Sequence, residues 1–154
     1  MAVFTRRLWL FLGTLAVTAF VLNWLWEMAQ MKAYNEMASA SWIATLAPCA
    51  FAALGDVVFT FLICGFVALI LQERFWQTWE PLALAAIGGA MVATAYEWLS
   101  QYSGRWTYSD AMPIVPVLGV GLLPLLQLVL ITPTAVWISA SCVRTPDPGN
   151  QASH

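Results

Sequence analysis

The sequence contains few charged residues, and this scarcity excludes most soluble folds. Of its 154 residues only 9% are Asp, Glu, Lys or Arg, whereas 61% are hydrophobic. A soluble domain carries about 25% charged residues, so this chain has too little charge to cover a water-facing surface. Its six basic residues and its net charge of -2 also provide no basic stripe for a nucleic acid. We therefore predict an integral membrane protein that does not bind nucleic acid.

Histidine and cysteine are also rare, which excludes several kinds of catalytic site. His154 is the single histidine, and the three cysteines, Cys49, Cys64 and Cys142, form no C-x-x-C pair. Without histidine in the body of the chain there is no catalytic triad, and carboxylates alone are a poor ligand set for zinc or copper. We predict no metal and no cofactor, and we interpret the cysteines as small core residues.

Long apolar runs are abundant, and four of them are long enough to cross a membrane. They cover about residues 8–30, 46–71, 82–102 and 113–138. A run of about 20 apolar residues spans the hydrocarbon as a helix, because a helix satisfies its own backbone hydrogen bonds there. The predicted fold class is an all-α integral membrane protein: a four-transmembrane-helix bundle over residues 1–142, followed by a disordered tail over 143–154.

The basic residues predict how this bundle lies in the membrane. Four arginines fall on one side of the spans and two basic residues on the other: Arg6, Arg7, Arg74 and Arg144 against Lys32 and Arg105. Short cytoplasmic loops carry more Lys and Arg than outer loops. Both termini, and with them the tail, should therefore be cytoplasmic.

Small residues and prolines predict how two of the helices pack. Ala85, Gly89 and Ala93 recur at four-residue spacing, which lets helices approach closely in lipid. The fourth span is interrupted by four prolines: Pro113, Pro116, Pro124 and Pro133. We expect this span to be kinked and to pack against polar neighbours, because proline frees backbone carbonyls.

Three carboxylates, Glu27, Asp56 and Glu97, interrupt the apolar runs. Inserting such a side chain into a bilayer costs about 2.5–3.5 kcal/mol, so it marks a functional site or a tight pairing. The polar residues of the first span, Asn23, Glu27, Gln30 and Tyr34, follow one helical face. Glu27 and Glu97 lie near the outer ends of their spans, and Asp56 lies about 15 Å into the second span at 1.5 Å per residue. With Gln127 from the fourth span, these groups should converge in the outer half of the bundle.

An outer loop from Ser103 to Pro113 should lie above this polar cluster. We expect Arg105 to be the counter-charge of Glu27 or Glu97, and Trp106 and Tyr108 to form a roof. A weak internal similarity at an offset of 70 residues relates Glu27 to Glu97, and it leaves open a two-plus-two parallel repeat.

The cluster has two interpretations, a structural clasp between helices or the wall of a ligand pocket. As a pocket, its candidate acid–base residues are Glu27 and Glu97, since a buried acid can protonate an apolar ligand. The candidate ligand-binding residues are Asn23, Trp24, Gln30, Asp56, Arg105, Trp106, Tyr108 and Gln127. The ligand would be a membrane lipid or an isoprenoid. The alternatives are an accessory or scaffold subunit with a membrane-protein partner, and a proton-coupled transporter.

Four sequence motifs carry a resemblance to a known family. They are N-W-L-W-E-x-x-Q from Asn23, G-D at Gly55, G-R-W-x-Y-x-x-x-M-P from Gly104, and G-x-G-L-x-P-L-L-Q from Gly119. Together they resemble a group of small four-span bacterial inner-membrane proteins without an assigned activity. The resemblance covers all four spans and implies an architecture and an inner-membrane location, and no reaction.

Overall fold

The computed structural model describes residues 2–71 and 79–143, which are mostly helical. In chain order the elements are α1 (Ala2–Gln30), a 3-10 turn (Met31–Ala33), α2 (Asn35–Ala38), α3 (Trp42–Leu71), α4 (Glu80–Tyr102), β1 (Ile114–Val115), β2 (Val120–Gly121) and α5 (Leu122–Val143). The strands β1 and β2 form an antiparallel hairpin in which Ile114 is opposite Gly121. Of the tail predicted over residues 143–154, Val143 is the last residue of α5, and residues 144–154 lie outside the described residues, as do Arg74 and Arg144.

Four of these helices, α1, α3, α4 and α5, are long and apolar enough to cross a bilayer. The predicted fold class is therefore confirmed, and the chain is a polytopic integral membrane protein. The two-plus-two repeat and the cytoplasmic position of the termini stay predictions.

The fourth helix begins later than the predicted span, at Leu122 rather than at residue 113, and it extends to Val143. The preceding segment turns back on itself because Gly119 has a φ of +68°, a left-handed conformation that glycine adopts without steric strain. The N–H of Leu122 then closes the hairpin by donating to the carbonyl of Pro113 at 2.7 Å. Pro124 lies in the first turn of α5, where a missing N–H does not break the helix.

The helices form a ring in the order α1, α3, α4, α5, in which each contacts the next. Of these neighbouring pairs, α3 and α4 contact each other least extensively. An apolar core fills the half of the bundle where α1 begins, with Phe11, Leu15, Ile63, Val67 and Val136 among its buried members. We call the opposite half, which carries the connections over residues 31–41 and 103–121, the loop end. The residues of the predicted polar cluster lie in the half that contains the loop end: Asn23, Glu27, Gln30, Asp56, Glu97 and Gln127.

The predicted small-residue face of α4 packs against α5. Ala85, Gly89, Ala93 and Glu97 are all buried, as their four-residue spacing predicts for one helical face. A Cβ atom at Gly89 would lie only 2.5 Å from the carbonyl oxygen of Leu128, so the two backbones are in direct contact. Glu97 is therefore held at the inner side of α4 by a helix contact that only small residues permit.

Two of the three cysteines have the predicted place in the core. Cys49 and Cys64 are buried in α3, whereas Cys142 is exposed in the last turn of α5. The prediction was wrong for Cys142, which is exposed on a face of α5 that none of the other described helices covers.

Candidate functional site

One wall of a polar network is formed by α1. Its polar residues Asn23, Glu27 and Gln30 follow one helical face, which we call the stripe. Asn23 and Gln30 are buried, and Glu27 between them is half-buried. Within the stripe, Gln30 Nε2 donates to Glu27 Oε1 at 3.0 Å, and Asn23 Nδ2 donates to the carbonyl of Ala19 at 2.9 Å. The indole N–H of Trp26 adds a contact to Gln30 Oε1 at 3.0 Å. These bonds orient the carboxyl and amide groups of α1 toward the interior of the bundle.

Gln127 of α5 joins this wall to α3. Its Oε1 accepts a hydrogen bond from Gln30 Nε2 at 2.7 Å, and its Nε2 lies 2.8 Å from Asp56 Oδ2. The same Nε2 lies 3.0 Å from both Asn23 Oδ1 and Glu27 Oε1. Three helices, α1, α3 and α5, are therefore connected through one side-chain amide.

The hydrogen-bond donors of this network are fewer than its acceptors. The amino group of Gln127 has two hydrogens, yet it faces three acceptor oxygens, on Asn23, Glu27 and Asp56. Within the described part of the chain, Glu27 Oε2 and Asp56 Oδ1 accept no hydrogen bond. The two carboxyl groups therefore retain acceptor capacity that the protein does not fill.

The third carboxylate, Glu97, accepts hydrogen bonds from side chains of the loop that follows α4. Its Oε2 accepts a hydrogen bond from the hydroxyl of Tyr108 and lies 3.3 Å from the indole nitrogen of Trp106. The Tyr108 hydroxyl in turn accepts the N–H of Gly121 at 2.8 Å and Gln101 Nε2 at 3.0 Å. Burial and the bond to Glu97 raise the pKa of Tyr108, so this hydroxyl stays protonated and donates.

Two connections at the loop end are joined into a single cover. A β-bridge pairs Tyr34 with Tyr108, and Asn35 N–H donates to the carbonyl of Thr107 at 3.0 Å. Glu36 accepts hydrogen bonds from the backbone N–H and the hydroxyl of Thr107 at 2.8 and 3.1 Å. The pKa of Tyr34 is raised by burial and by the nearby carboxyl groups of Glu97 and Glu27. Its phenol therefore remains neutral beneath this cover.

A cavity of about 270 Å³ lies between the network and the cover. It is lined by the polar side chains of Glu27, Gln30, Asp56, Glu97, Arg105 and Gln127, by the aromatic rings of Tyr34, Phe59, Tyr96 and Trp106, and by apolar residues that include Met31, Pro48, Ala52, Ala93 and Leu128. The lining of the cavity is thus mostly aromatic and apolar, and all four long helices and the loop contribute polar side chains to it.

Arg105 does not form the predicted ion pair. Between the residues that the structure describes, no ion pair joins Arg105 to Glu27 or Glu97. The guanidinium carbon instead lies 5.9 Å from the ring centroid of Tyr96 and 5.7 Å from that of Trp106, and Nη1 donates to the Tyr96 hydroxyl at 3.2 Å. Tyr108 and Trp106 of the same loop bond to Oε2 of Glu97 instead.

The structure brings together seven of the ten predicted site residues around the cavity: Glu27, Gln30, Asp56, Glu97, Arg105, Trp106 and Gln127. The other three are not in its lining. Asn23 lies one helical turn before Glu27 and accepts a hydrogen bond from Gln127, and the hydroxyl of Tyr108 donates to Glu97. Trp24 is on another face of α1, where its indole N–H donates to the carbonyl of Leu46 at 3.2 Å and its ring stacks on Phe20.

Sequence reasoning missed Phe59 and Tyr96 as cavity residues. Their rings contact each other with centroids 5.0 Å apart, and they close the cavity between α3 and α4. A signal was present for Phe59, because it lies three residues after Asp56 and therefore shares its helical face. No comparable signal identifies Tyr96. Adjacent residues of a helix point in different directions, so its position next to Glu97 does not place it in the site, and its contacts there are with the loop residues Arg105 and Trp106.

The Tyr108→Phe variant is expected to lose about 1–3 kcal/mol of unfolding free energy, because Glu97 loses a donor and the Gly121 N–H loses an acceptor. Faster amide hydrogen exchange at Gly121 should accompany this loss, measured by mass spectrometry. Tyr102→Phe is the matched control, since Tyr102 is 94% exposed. Equal stability of the two variants would contradict the support that we assign to Tyr108.

The chain was compared with protein-family models, curated proteins and solved structures, and none of the three comparisons found a match. The resemblance to small four-span inner-membrane proteins therefore stays a prediction.

Proposed function

We propose that this membrane protein binds an amphipathic, lipid-like ligand in the cavity at its loop end. The observation that carries the proposal is a cavity of about 270 Å³ whose mostly aromatic and apolar lining also contains a few buried or half-buried polar side chains. Small-molecule sites have this character, with mostly apolar walls and a few placed polar groups. The apolar part of the ligand would lie along α3 and α4, and its polar end would contact the network of Glu27, Asp56 and Gln127.

The side of the cavity formed by α3 supports entry from the lipid. Pro48, Ala52 and Gly55 line the cavity and are also exposed. The adjacent α3–α4 contact is the least extensive one in the ring of helices. An apolar molecule in the bilayer would reach the cavity between these helices without crossing water.

Acid–base chemistry on an isoprenoid or another apolar ligand is a second part of the proposal. Glu27 and Glu97 both line the cavity, and each has one oxygen that accepts no hydrogen bond from the described residues. Glu27 is the better candidate acid, because it is half-buried, whereas Glu97 is only 3% exposed. The rings of Tyr96 and Trp106 would stabilise positive charge that develops on a protonated ligand.

The scaffold and transporter alternatives find less support in the packing. The small-residue face that would hold a partner, with Gly89 at its centre, is covered by α5. A proton path would have to pass the apolar core, where Leu15 and Val67 are buried. In the orientation that we propose, with both termini cytoplasmic in a bacterial inner membrane, the cavity faces the outer leaflet.

Gly55→Leu is expected to abolish ligand binding while leaving the fold intact. Gly55 lines the cavity, and a Cβ atom there would meet nothing within 4 Å, so a leucine would occupy ligand space. The measurement is mass spectrometry of lipids that co-purify with the protein in nanodiscs, relative to the lipids of the source membrane. The wild type should retain an enriched species that Gly55→Leu lacks.

The matched control is Gly65→Leu, on the same helix and also with nothing within 4 Å of its Cβ but outside the cavity. It should retain the enriched species. No enriched species in the wild type, or equal loss in both variants, would overturn the binding proposal. The acid–base part is tested separately: Glu27→Gln should alter the cellular isoprenoid or lipid profile, and an unchanged profile would contradict it without affecting binding.

A further inference from the structure

We infer that the polar end of the ligand is a protonated primary or secondary amine, so that the cavity is a site for a lipophilic amine. This inference deepens the proposed function and depends on it, because it concerns the same cavity. It follows from the sign of the charges around the cavity, from the unfilled acceptors of the network and from the position of Arg105.

The ionisable side chains that line the cavity are mainly acidic. Glu27, Asp56 and Glu97 lie on its inner surface and Glu36 lies at the cover, whereas Arg105 is the one basic residue in the described lining. Arg105 is exposed, at the side of the cavity nearest the loops. An anionic headgroup at the network would therefore find no counter-charge there, whereas a cationic headgroup would favour the ionised form of these carboxyl groups in a medium of low dielectric.

The network also requires hydrogen-bond donors from the ligand. Gln127 offers two N–H groups to three acceptors, and the second oxygens of Glu27 and Asp56 accept nothing from the described residues. A primary ammonium group carries three N–H donors, and bonds from an ionised donor to a carboxylate are about twice as strong as neutral ones. Such a group would supply donors to the remaining acceptors of Glu27 and Asp56, and its positive charge would balance one carboxylate.

The aromatic part of the lining already holds a cation. The guanidinium of Arg105 lies within 6 Å of the ring centroids of Tyr96 and Trp106, which is the range of a cation–π interaction. Among the residues that the structure describes, Arg105 forms no ion pair with an acid, and its guanidinium bonds to the Tyr96 hydroxyl. Arg105 therefore acts as an internal competitor for a ligand cation, and its removal should make an amine bind more tightly.

Two other headgroups fit the lining less well. A quaternary ammonium could form cation–π contacts with the aromatic rings and carries a positive charge, but it has no N–H group to donate to the carboxyl oxygens. A hydroxyl group would supply a donor but no charge. The amine alone supplies both, so the three headgroups differ in a way that an experiment can separate.

The test compares probes that share a twelve-carbon tail and differ only in the headgroup: dodecylamine, dodecyltrimethylammonium, dodecanol and dodecyl phosphate. Binding to the protein in nanodiscs of zwitterionic lipid is measured by intrinsic tryptophan fluorescence and corrected with empty nanodiscs. At neutral pH an alkylamine is protonated. Dodecylamine should bind most tightly, and roughly tenfold or more tightly than dodecyl phosphate.

Two variants with opposite expected effects make the test specific. Glu27→Gln should weaken dodecylamine binding roughly tenfold and leave dodecanol binding nearly unchanged, since it removes a charge and keeps an acceptor. Arg105→Gln should tighten dodecylamine binding several-fold, because the competing cation is lost. Glu80→Gln is the control for charge, since Glu80 lies at the other end of α4 and outside the cavity lining.

The outcomes separate this inference from the proposed function. If dodecanol or dodecyl phosphate binds as tightly as dodecylamine, or if Arg105→Gln weakens amine binding, the amine assignment is overturned while the cavity remains a lipid site. If Gly55→Leu does not reduce binding of any probe, the proposed function itself fails. The predicted order of probes, with opposite effects of the two variants, would support both.

Discussion

The Gly89→Ala variant is expected to lose about 3 kcal/mol or more of unfolding free energy, which is at the upper end of the effect of overpacking. The added Cβ would lie 2.5 Å from the carbonyl oxygen and 2.8 Å from the carbonyl carbon of Leu128. Both atoms belong to the backbone of α5, so no side-chain rotation relieves the clash. The helices α4 and α5 must separate, and the contact that positions Glu97 and Gln127 is lost with them.

Gly65→Ala provides a matched control for this variant. A Cβ atom at Gly65 of α3 would meet nothing within 4 Å, and alanine favours a helix over glycine by roughly 0.5–1 kcal/mol. Gly65→Ala should therefore be neutral or slightly stabilising. Unfolding by SDS titration in mixed micelles, followed by circular dichroism, measures both variants. If Gly89→Ala were as stable as Gly65→Ala, α4 and α5 would not be in backbone contact in the native bundle.

The Gln127→Leu variant is expected to lose about 2–4 kcal/mol of unfolding free energy, because it leaves buried acceptors without a donor. Gln127 lies within 3.0 Å of Asn23, Glu27, Gln30 and Asp56, and it is 2% exposed. A single hydrogen bond between membrane helices contributes only about 0.6 kcal/mol on average. The expected loss is larger because the substitution removes all the hydrogen bonds of Gln127 at once. The same SDS titration measures it.

Two further variants test this explanation of the Gln127→Leu effect. Gln101→Leu removes an exposed glutamine whose single described side-chain bond is to the Tyr108 hydroxyl, and it should lose less than half as much stability. Placing Gln127→Leu in a chain that also carries Asp56→Asn should reduce the loss, since the asparagine supplies its own donors. A loss that is the same in both backgrounds would show that volume, and not the missing donor, determines the effect.

The structure allows the polar cluster to be both a structural clasp and the wall of a ligand pocket. Different residues of the cluster would then serve the two roles. Gln30 donates a hydrogen bond to Gln127 and thereby connects α1 to α5, as a structural clasp requires. Glu27 and Asp56 share that clasp but each has an oxygen that accepts nothing from the described residues, and both line the cavity. We therefore expect substitutions of Gln127 to act mainly on stability and substitutions of Glu27 to act mainly on the ligand.

The parts of the site that follow a helical period could be predicted from the sequence. The stripe of Asn23, Glu27 and Gln30 faces the bundle because residues three and four apart share a helical face, and an amide or acid does not face lipid. The row from Ala85 to Glu97 is buried for the same reason. The start of α5 was not predictable in this way, since residues 113–121 are apolar enough for a span and a left-handed glycine turns them into a hairpin.

The sequence by itself determined that this chain crosses the membrane with four helices, and which face of each helix carries the polar groups. Composition and period decide both, because lipid accepts only apolar, internally bonded helices. Only the tertiary structure decided that Gln127 bonds to Asp56 and Glu27, that Tyr108 and not Arg105 engages Glu97, and that a cavity remains between them. Those partners are 11 to 100 residues apart in the chain, and their contacts depend on helix spacing and loop conformation, which no local pattern encodes.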